Sequence, residues 1–178
     1  GNKMNDIGKR IVVMGSPGAG KTTFSDKLGK ILSLPVYHLD KYFWKNWKEC
    51  PDEEWNKIVT KFTQEDSWII DGNYMRTIDI RLERAETAVF LDYKRRVCLW
   101  SVFKRVVKNY GKQRPDLGDG CPERFDINFM KWVYDFPEKY RPELFGKLQE
   151  YPQVSKIILL SRKEADKFLS DIAEKVNE

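Results

Sequence analysis

Residues 10–23 read Arg-Ile-Val-Val-Met-Gly-Ser-Pro-Gly-Ala-Gly-Lys-Thr-Thr. A short apolar run ends at Gly15, and Gly15 to Thr22 then fits G-x-x-x-x-G-K-[ST] without a gap. A short continuous apolar run reads as a strand buried on both faces of a parallel sheet. From Thr22 to Leu32, Phe24, Leu28, Ile31 and Leu32 recur at helical spacing. Strand, glycine-rich turn and helix in immediate succession are the context in which this pattern cradles phosphates. Glycines let the backbone wrap an anion and aim its N–H groups inward. The following helix points its positive end at the same place. The expectation is a nucleoside triphosphate held by Gly15, Ser16, Pro17, Gly18, Ala19, Gly20, Lys21, Thr22 and Thr23. Lys21 should reach the β- and γ-phosphates, the Thr22 hydroxyl should take one Mg²⁺ position, and Thr23 should meet the α-phosphate. No guanine-reading Asn-Lys-x-Asp occurs, so ATP is the expected donor.

Four more short apolar runs follow, at Pro35–His38, Trp68–Ile70, Ala88–Leu91 and Lys156–Leu160. Helix-like stretches lie between them, at 52–62, which opens with Asp-Glu-Glu after Pro51, then 76–85, 97–107 and 125–148, and 163–176 closes the chain. Acids in the first turn mark a helix start. Strands alternating with helices predict an α/β chain with a five-stranded parallel sheet. The length, 178 residues, suits one domain, 1–178. The segment 111–122, GKQRPDLGDGCP, is a loop by its glycines and prolines. It reads either as a mobile cover over a site or as a plain helix-to-helix turn.

Composition narrows the class. Hydrophobic residues make up 41% and charged residues 33%, which excludes a disordered, collagen-like or disulfide-scaffold chain. Cys50, Cys98 and Cys121 are widely spaced and His38 is the single histidine, so no zinc spacing can be assembled. Three reduced thiols suit a cytoplasmic protein. No apolar run approaches a membrane span, and residues 1–10 have no apolar signal core. The net charge is +5, yet residues 93–114 hold eight Lys and Arg and no Asp or Glu, so the rest of the chain is net acidic. That basic stretch serves a nucleotide, a nucleic-acid backbone, or only a solvated helix face.

Candidate residues follow from the strand ends, because ligands bind outside the carboxyl ends of parallel strands. Asp71 ends the third run and is the candidate second Mg²⁺ contact. It is equally a turn-forming Asp-Gly. Asp92, ending the fourth run, is its rival, or else a helix cap. Asp40 follows the second run and is placed to orient an acceptor hydroxyl and take its proton; its plain alternative is a helix cap. His38 beside it is either a packed strand-end residue or an acceptor contact. Tyr42, Phe43, Trp44 and Trp47 form an aromatic cluster, which either stacks a flat ring, with Trp44 as the candidate contact, or forms the core of a helical flap. Arg105 and Arg114 sit at the proposed cover, where guanidinium groups would stabilise charge on a transferring phosphoryl group. Arg76 is placed for the acceptor and Arg162 for the nucleotide base. Each arginine is otherwise a surface charge.

GSPGAGKTT, HLDKYFW, WIIDGNY, FLDYKRRVCLW and GCPERFD together resemble the adenylate-kinase-like P-loop proteins labelled FlaR or "DNA topology modulation protein", over roughly residues 10–168. The resemblance implies sheet order 2-3-1-4-5, a helical lid at about 105–125 and a separate acceptor flap at about 40–65. It implies a kinase that uses ATP and Mg²⁺ on a small-molecule acceptor: a nucleotide, a nucleoside, or another hydroxyl or phosphate compound. The alternative is a regulatory ATP-binding protein affecting DNA topology, although no groove-reading helix motif occurs in the sequence. The oligomeric expectation is a monomer or a homodimer.

Overall fold

The structure is a computed structural model that describes residues 7–115 and 117–178; residues 1–6, where most of the amino-end reading falls, lie outside them. Strands β1 (Arg10–Gly15), β2 (Val36–His38), β5 (Trp68–Asp71), β6 (Thr87–Leu91) and β7 (Ser155–Leu159) form one sheet in the order β2-β5-β1-β6-β7. All four pairings are parallel. Among these five strands that order is 2-3-1-4-5, as expected. The central β1 lies where the order reverses, which opens a crevice at its carboxyl end. Register places the strand ends together there: Gly15 beside Leu91, and Asp71 between Val13 and His38.

Side chains alternate along each strand and fill two separate cores. On one face Ile11 and Val13 pack with α1 (Lys21–Leu32), α5 (Arg95–Asn109) and α8 (Arg162–Val176). On the other, Val12 and Met14 pack with α3 (Asp52–Thr63), α4 (Ile78–Arg84), α6 (Ile127–Lys139) and α7 (Arg141–Gln149). Double burial explains the continuous apolar reading of the strands. Truncating a fully buried strand residue such as Ile70 to alanine would cost about 2–5 kcal/mol.

Three features depart from the sequence reading. The single stretch expected over 125–148 is two helices, α6 and α7, which meet at Tyr140, with Pro142 in the first turn of α7. Proline is tolerated there because its missing N–H has no helical partner to lose. The aromatic cluster after β2 divides into a short helix α2 (Leu39–Phe43) and a two-stranded hairpin, β3 (Trp44–Lys45) and β4 (Lys48–Glu49). Asp92 does not cap α5, whose cap position is Lys94; both Asp92 oxygens accept from Arg141, at 2.8 Å each.

Candidate active site

A cavity of about 950 Å³ opens at the carboxyl end of the sheet. Its floor is the turn between β1 and α1. Gly18 has φ +84°, and a Cβ there would stand 2.6 Å from the Cys98 carbonyl oxygen of α5. Only glycine fits both that conformation and that approach. Pro17, Gly18, Gly20, Lys21, Thr22 and Thr23 line the cavity. Lys21 Nζ donates to the carbonyl oxygens of Gly15 and Ser16, both at 3.2 Å. Burial lowers the Lys21 pKa, while Asp40 and Asp71 oppose the shift.

The loop after β5 is tied to this turn from both sides. Asn73 donates through Nδ2 to the Gly15 carbonyl (2.7 Å) and accepts at Oδ1 from the Gly15 N–H (3.1 Å). Arg81, fully buried, donates to the carbonyl oxygens of Gly72 (2.8 Å), Asn73 (3.1 Å) and Tyr74 (2.7 Å). These bonds fix where Asp71 and Tyr74 stand. Tyr74 lines the cavity and donates its hydroxyl hydrogen bond to Asp40 Oδ1, on α2. Burial, then Asp40, raises the Tyr74 pKa well above its ordinary value, so the phenol keeps its proton as a donor.

Asp71 is 4% exposed and lines the cavity. Its carboxylate meets His38 Nδ1, and His38 Nε2 meets Asp26 Oδ1 at 2.8 Å. Carboxylates facing both ring nitrogens favour the doubly protonated imidazolium. Burial works against that charge, yet Asp71 and then Asp26 outweigh it and raise the His38 pKa to about 9. Burial raises the Asp71 pKa, opposed by His38.

The opposite wall joins the hairpin to the loop between α5 and α6, the segment expected to act as a lid. The hairpin turn places Asn46 (φ 51°) and Trp47 (φ 56°) in left-handed conformation. That geometry suits a two-residue hairpin and asparagine, but it strains a tryptophan. The Asn46 N–H donates to the Asp119 carbonyl (2.9 Å), and the Arg124 guanidinium lies 4.4 Å over the Trp47 ring. At Gly118 a Cβ would fall inside contact with the Trp44 carbonyl oxygen and 2.8 Å from that of Lys41. The lid segment thus rests on the hairpin through a glycine. Within it Glu123, 4% exposed, pairs with Arg105 (3.1 Å) and Arg114 (3.5 Å). From α6, Phe129 and Trp132 close the cavity side.

The structure brings Lys21, Thr22, Asp40, Trp44, Asp71, Arg105, Arg114 and Arg162 to this one cavity. Arg162 stands beside the phosphate turn and donates to Ser101 Oγ at 2.7 Å. Five candidates are not in its lining: Gly15, Ser16 and Ala19 of the turn, His38 and Arg76. His38 is drawn behind Asp71 by its two carboxylates, and Arg76 pairs with Asp52 at 3.1 Å on the surface. Asn73, Arg81 and Glu123 were missed by the sequence reading. Asn73 follows Asp71-Gly72 in the quoted WIIDGNY and was the most findable; nothing in the sequence marks Glu123 as the partner of two arginines. Thr22 and Asp71 both line the cavity and offer oxygens, the donor type that a hard cation such as Mg²⁺ takes beside waters and phosphate oxygens; one Asp71 oxygen already meets His38. Among the described residues no group of three or more His, Cys, Asp or Glu is clustered for an all-protein metal site.

Solved structures share this fold. A shikimate kinase from Acinetobacter baumannii in complex with shikimate matches with TM-score 0.58 and 15% identity, over 95% of this chain and 93% of that one. A gluconokinase from Sinorhizobium meliloti 1021 matches with TM-score 0.55 and 15% identity, over 96% and 97%. A shikimate kinase from Bacteroides thetaiotaomicron matches with TM-score 0.51 and 16% identity, over 96% and 99%. The chain therefore has the P-loop kinase fold along nearly its whole length. No protein-family model matches the chain, and no curated protein is significantly similar to it. The DNA-topology name gains no support from these comparisons. Among the described residues no helix is long and apolar enough to cross a membrane.

Proposed function

We propose that this protein is a P-loop phosphotransferase that moves the γ-phosphoryl group of Mg·ATP to a small-molecule acceptor. The observation that carries the reading is one cavity in which a phosphate-binding turn with Lys21 faces Asp40 and an aromatic hairpin. The turn's N–H groups and Lys21 hold the phosphates, and Arg162 borders the donor side. Thr22 and Asp71 would hold Mg²⁺, which neutralises charge on the β- and γ-oxygens when bound. Tyr74 donates to Asp40 Oδ1, and Oδ2 would serve the acceptor. As the acceptor oxygen bonds to the γ-phosphorus, its proton passes to Asp40 and the bond from phosphorus to the β–γ bridging oxygen breaks, releasing ADP. Arg105 and Arg114, oriented by Glu123, balance the charge on the transferring group. The lid on the hairpin excludes water that would otherwise compete as acceptor.

The test is ADP release from Mg·ATP with and without nucleosides, nucleoside monophosphates and small hydroxylated metabolites. Acceptor-dependent release is expected. Release that ignores every acceptor, or tight ATP binding without turnover, would overturn the reading.

The second reading, an ATP-binding regulator acting on DNA, is favoured by one observation: Lys94, Arg96, Lys104, Lys108 and Lys112 are exposed along and beside α5. A salt titration of DNA binding tests it, with a steep slope expected of a phosphate-tracking surface and no binding counting against it.

A further inference from the structure

The phosphotransferase reading leaves the acceptor open between phosphate and hydroxyl compounds; the inference below rests on that reading. We infer that the acceptor is an uncharged or cationic hydroxyl compound built on a flat ring of about nucleoside size, and not a phosphate or carboxylate.

Charge is the first ground. Among the described residues six cationic side chains line the cavity: Lys21, Arg105, Lys112, Arg114, Arg124 and Arg162. Four described carboxylates line it too, Asp40, Asp71, Glu123 and Asp126, and the His38 imidazolium stands against Asp71. Mg·ATP, which carries about two net negative charges once the metal offsets half of the phosphate charge, takes most of the surplus. What is left is less than a phosphate dianion needs.

Placement is the second ground. Recognition of phosphate or carboxylate calls for guanidinium forks presented to the ligand. On the acceptor side the arginines already serve the protein. Arg124 lies over Trp47 and pairs with Asp126 at 3.6 Å. Arg81 is spent on three backbone carbonyls and Arg76 on Asp52. Arg105 and Arg114, held by Glu123, are committed to the transferring phosphoryl group. An anionic acceptor would also stand against Asp40, and like charges at close quarters are strongly unfavourable.

Shape is the third ground. The acceptor side is walled by Trp44, Trp47 and Tyr74 from the hairpin and the β5 loop, and by Phe129, Trp132 and Tyr140 from α6 and its end. Trp44 and Trp47 lie edge to face at 6.0 Å, as do Trp132 and Tyr140 at 6.1 Å. Rings of this kind bind flat apolar surfaces with a hydrophilic edge. The volume, about 950 Å³, is at the top of the range of about 300–1,000 Å³ for a single ligand site, which leaves room for a second molecule beside a nucleotide.

The test uses the whole protein and matched probes: four nucleosides, their 5′-monophosphates, shikimate and gluconate. Phosphorylation is followed with Mg·ATP. Binding is followed separately through tryptophan fluorescence with the donor side saturated by a non-hydrolysable Mg·ATP analogue. At least one nucleoside is expected to accept phosphate with kcat/KM at least about 100-fold above its monophosphate, since like-charge juxtaposition costs several kcal/mol. The same nucleoside should quench fluorescence where its monophosphate does not. Preferred transfer to a monophosphate, shikimate or gluconate would overturn the inference and leave the phosphotransferase reading standing. Nucleosides that neither quench nor react at millimolar concentration would overturn it as well. Nucleoside quenching with no transfer to any probe would sustain the binding inference and count against the transferase reading.

Discussion

At the proposed donor end the cavity is lined by the turn residues Pro17, Gly18 and Gly20 and by the first turn of α1, with Lys21 as the charge among them. At the acceptor end, a ligand meets side chains from four separate segments: α2 with the hairpin, the β5 loop, the lid and α6. The first end is mainly a local object, because its lining comes from consecutive residues, with Asn73 bracing Gly15 from the β5 loop. The second is a tertiary object, held by Arg81 under the β5 loop, by Asn46 on the Asp119 carbonyl and by Glu123 between two arginines. Loss of one residue should therefore act differently at the two ends.

The largest effect is expected at the donor end. Lys21→Ala should reduce turnover by at least about 1,000-fold, as removal of a preorganised transition-state contact does. It should also strongly weaken ATP binding, read by calorimetry. Asp40→Asn should come next, with turnover down by about 10²–10⁴ and ATP binding unchanged. Normal transfer by this variant would make Asp40 a structural residue of the flap. Gly118→Ala sharpens the comparison, because it leaves the donor end alone and disturbs only the backbone seat of the lid on α2 and the hairpin at the acceptor end. A loss of about 10-fold in transfer is expected, with ATP hydrolysis rising relative to transfer as water gains access. Unchanged partition would mean that the lid does not exclude water.

The smallest effect is on stability. The His38 pKa is raised from 6.5 to about 9, so its contribution is full below about pH 6.5 and is lost as pH rises through about 9. The raised Asp71 pKa acts in the same direction. His38→Asn should lower stability by on the order of 2 kcal/mol at pH 6 and by much less at pH 9.5. Denaturant unfolding of the nucleotide-free protein at the two pH values reads it; an equal loss at both would contradict the imidazolium assignment.

The same contrast explains what the sequence disclosed. The strands were legible because burial on both faces leaves continuous apolar runs, and the phosphate turn because its residues are consecutive. Asp40 and Asp71 could be proposed because they follow strand ends, and strand ends converge in a parallel sheet. His38 and Arg76 were placed by nearness in sequence, and each went to a carboxylate that proximity along the chain does not reveal: Asp26 and Asp71 for one, Asp52 for the other. Glu123 was hidden for the same reason. The α6–α7 break was obscured because Pro137 and Pro142 bracket it and Pro137 remains inside α6. The hairpin was hidden because its turn carries Trp47 in a conformation that tryptophan seldom adopts.

The most direct test of the central claim is the fate of the γ-phosphoryl group. With γ-labelled ATP, Mg²⁺ and an accepted compound, the label should appear on that compound, depend on Lys21 and Asp40, and appear only slowly as inorganic phosphate. Label recovered solely as inorganic phosphate, whatever compound is supplied, would contradict the account.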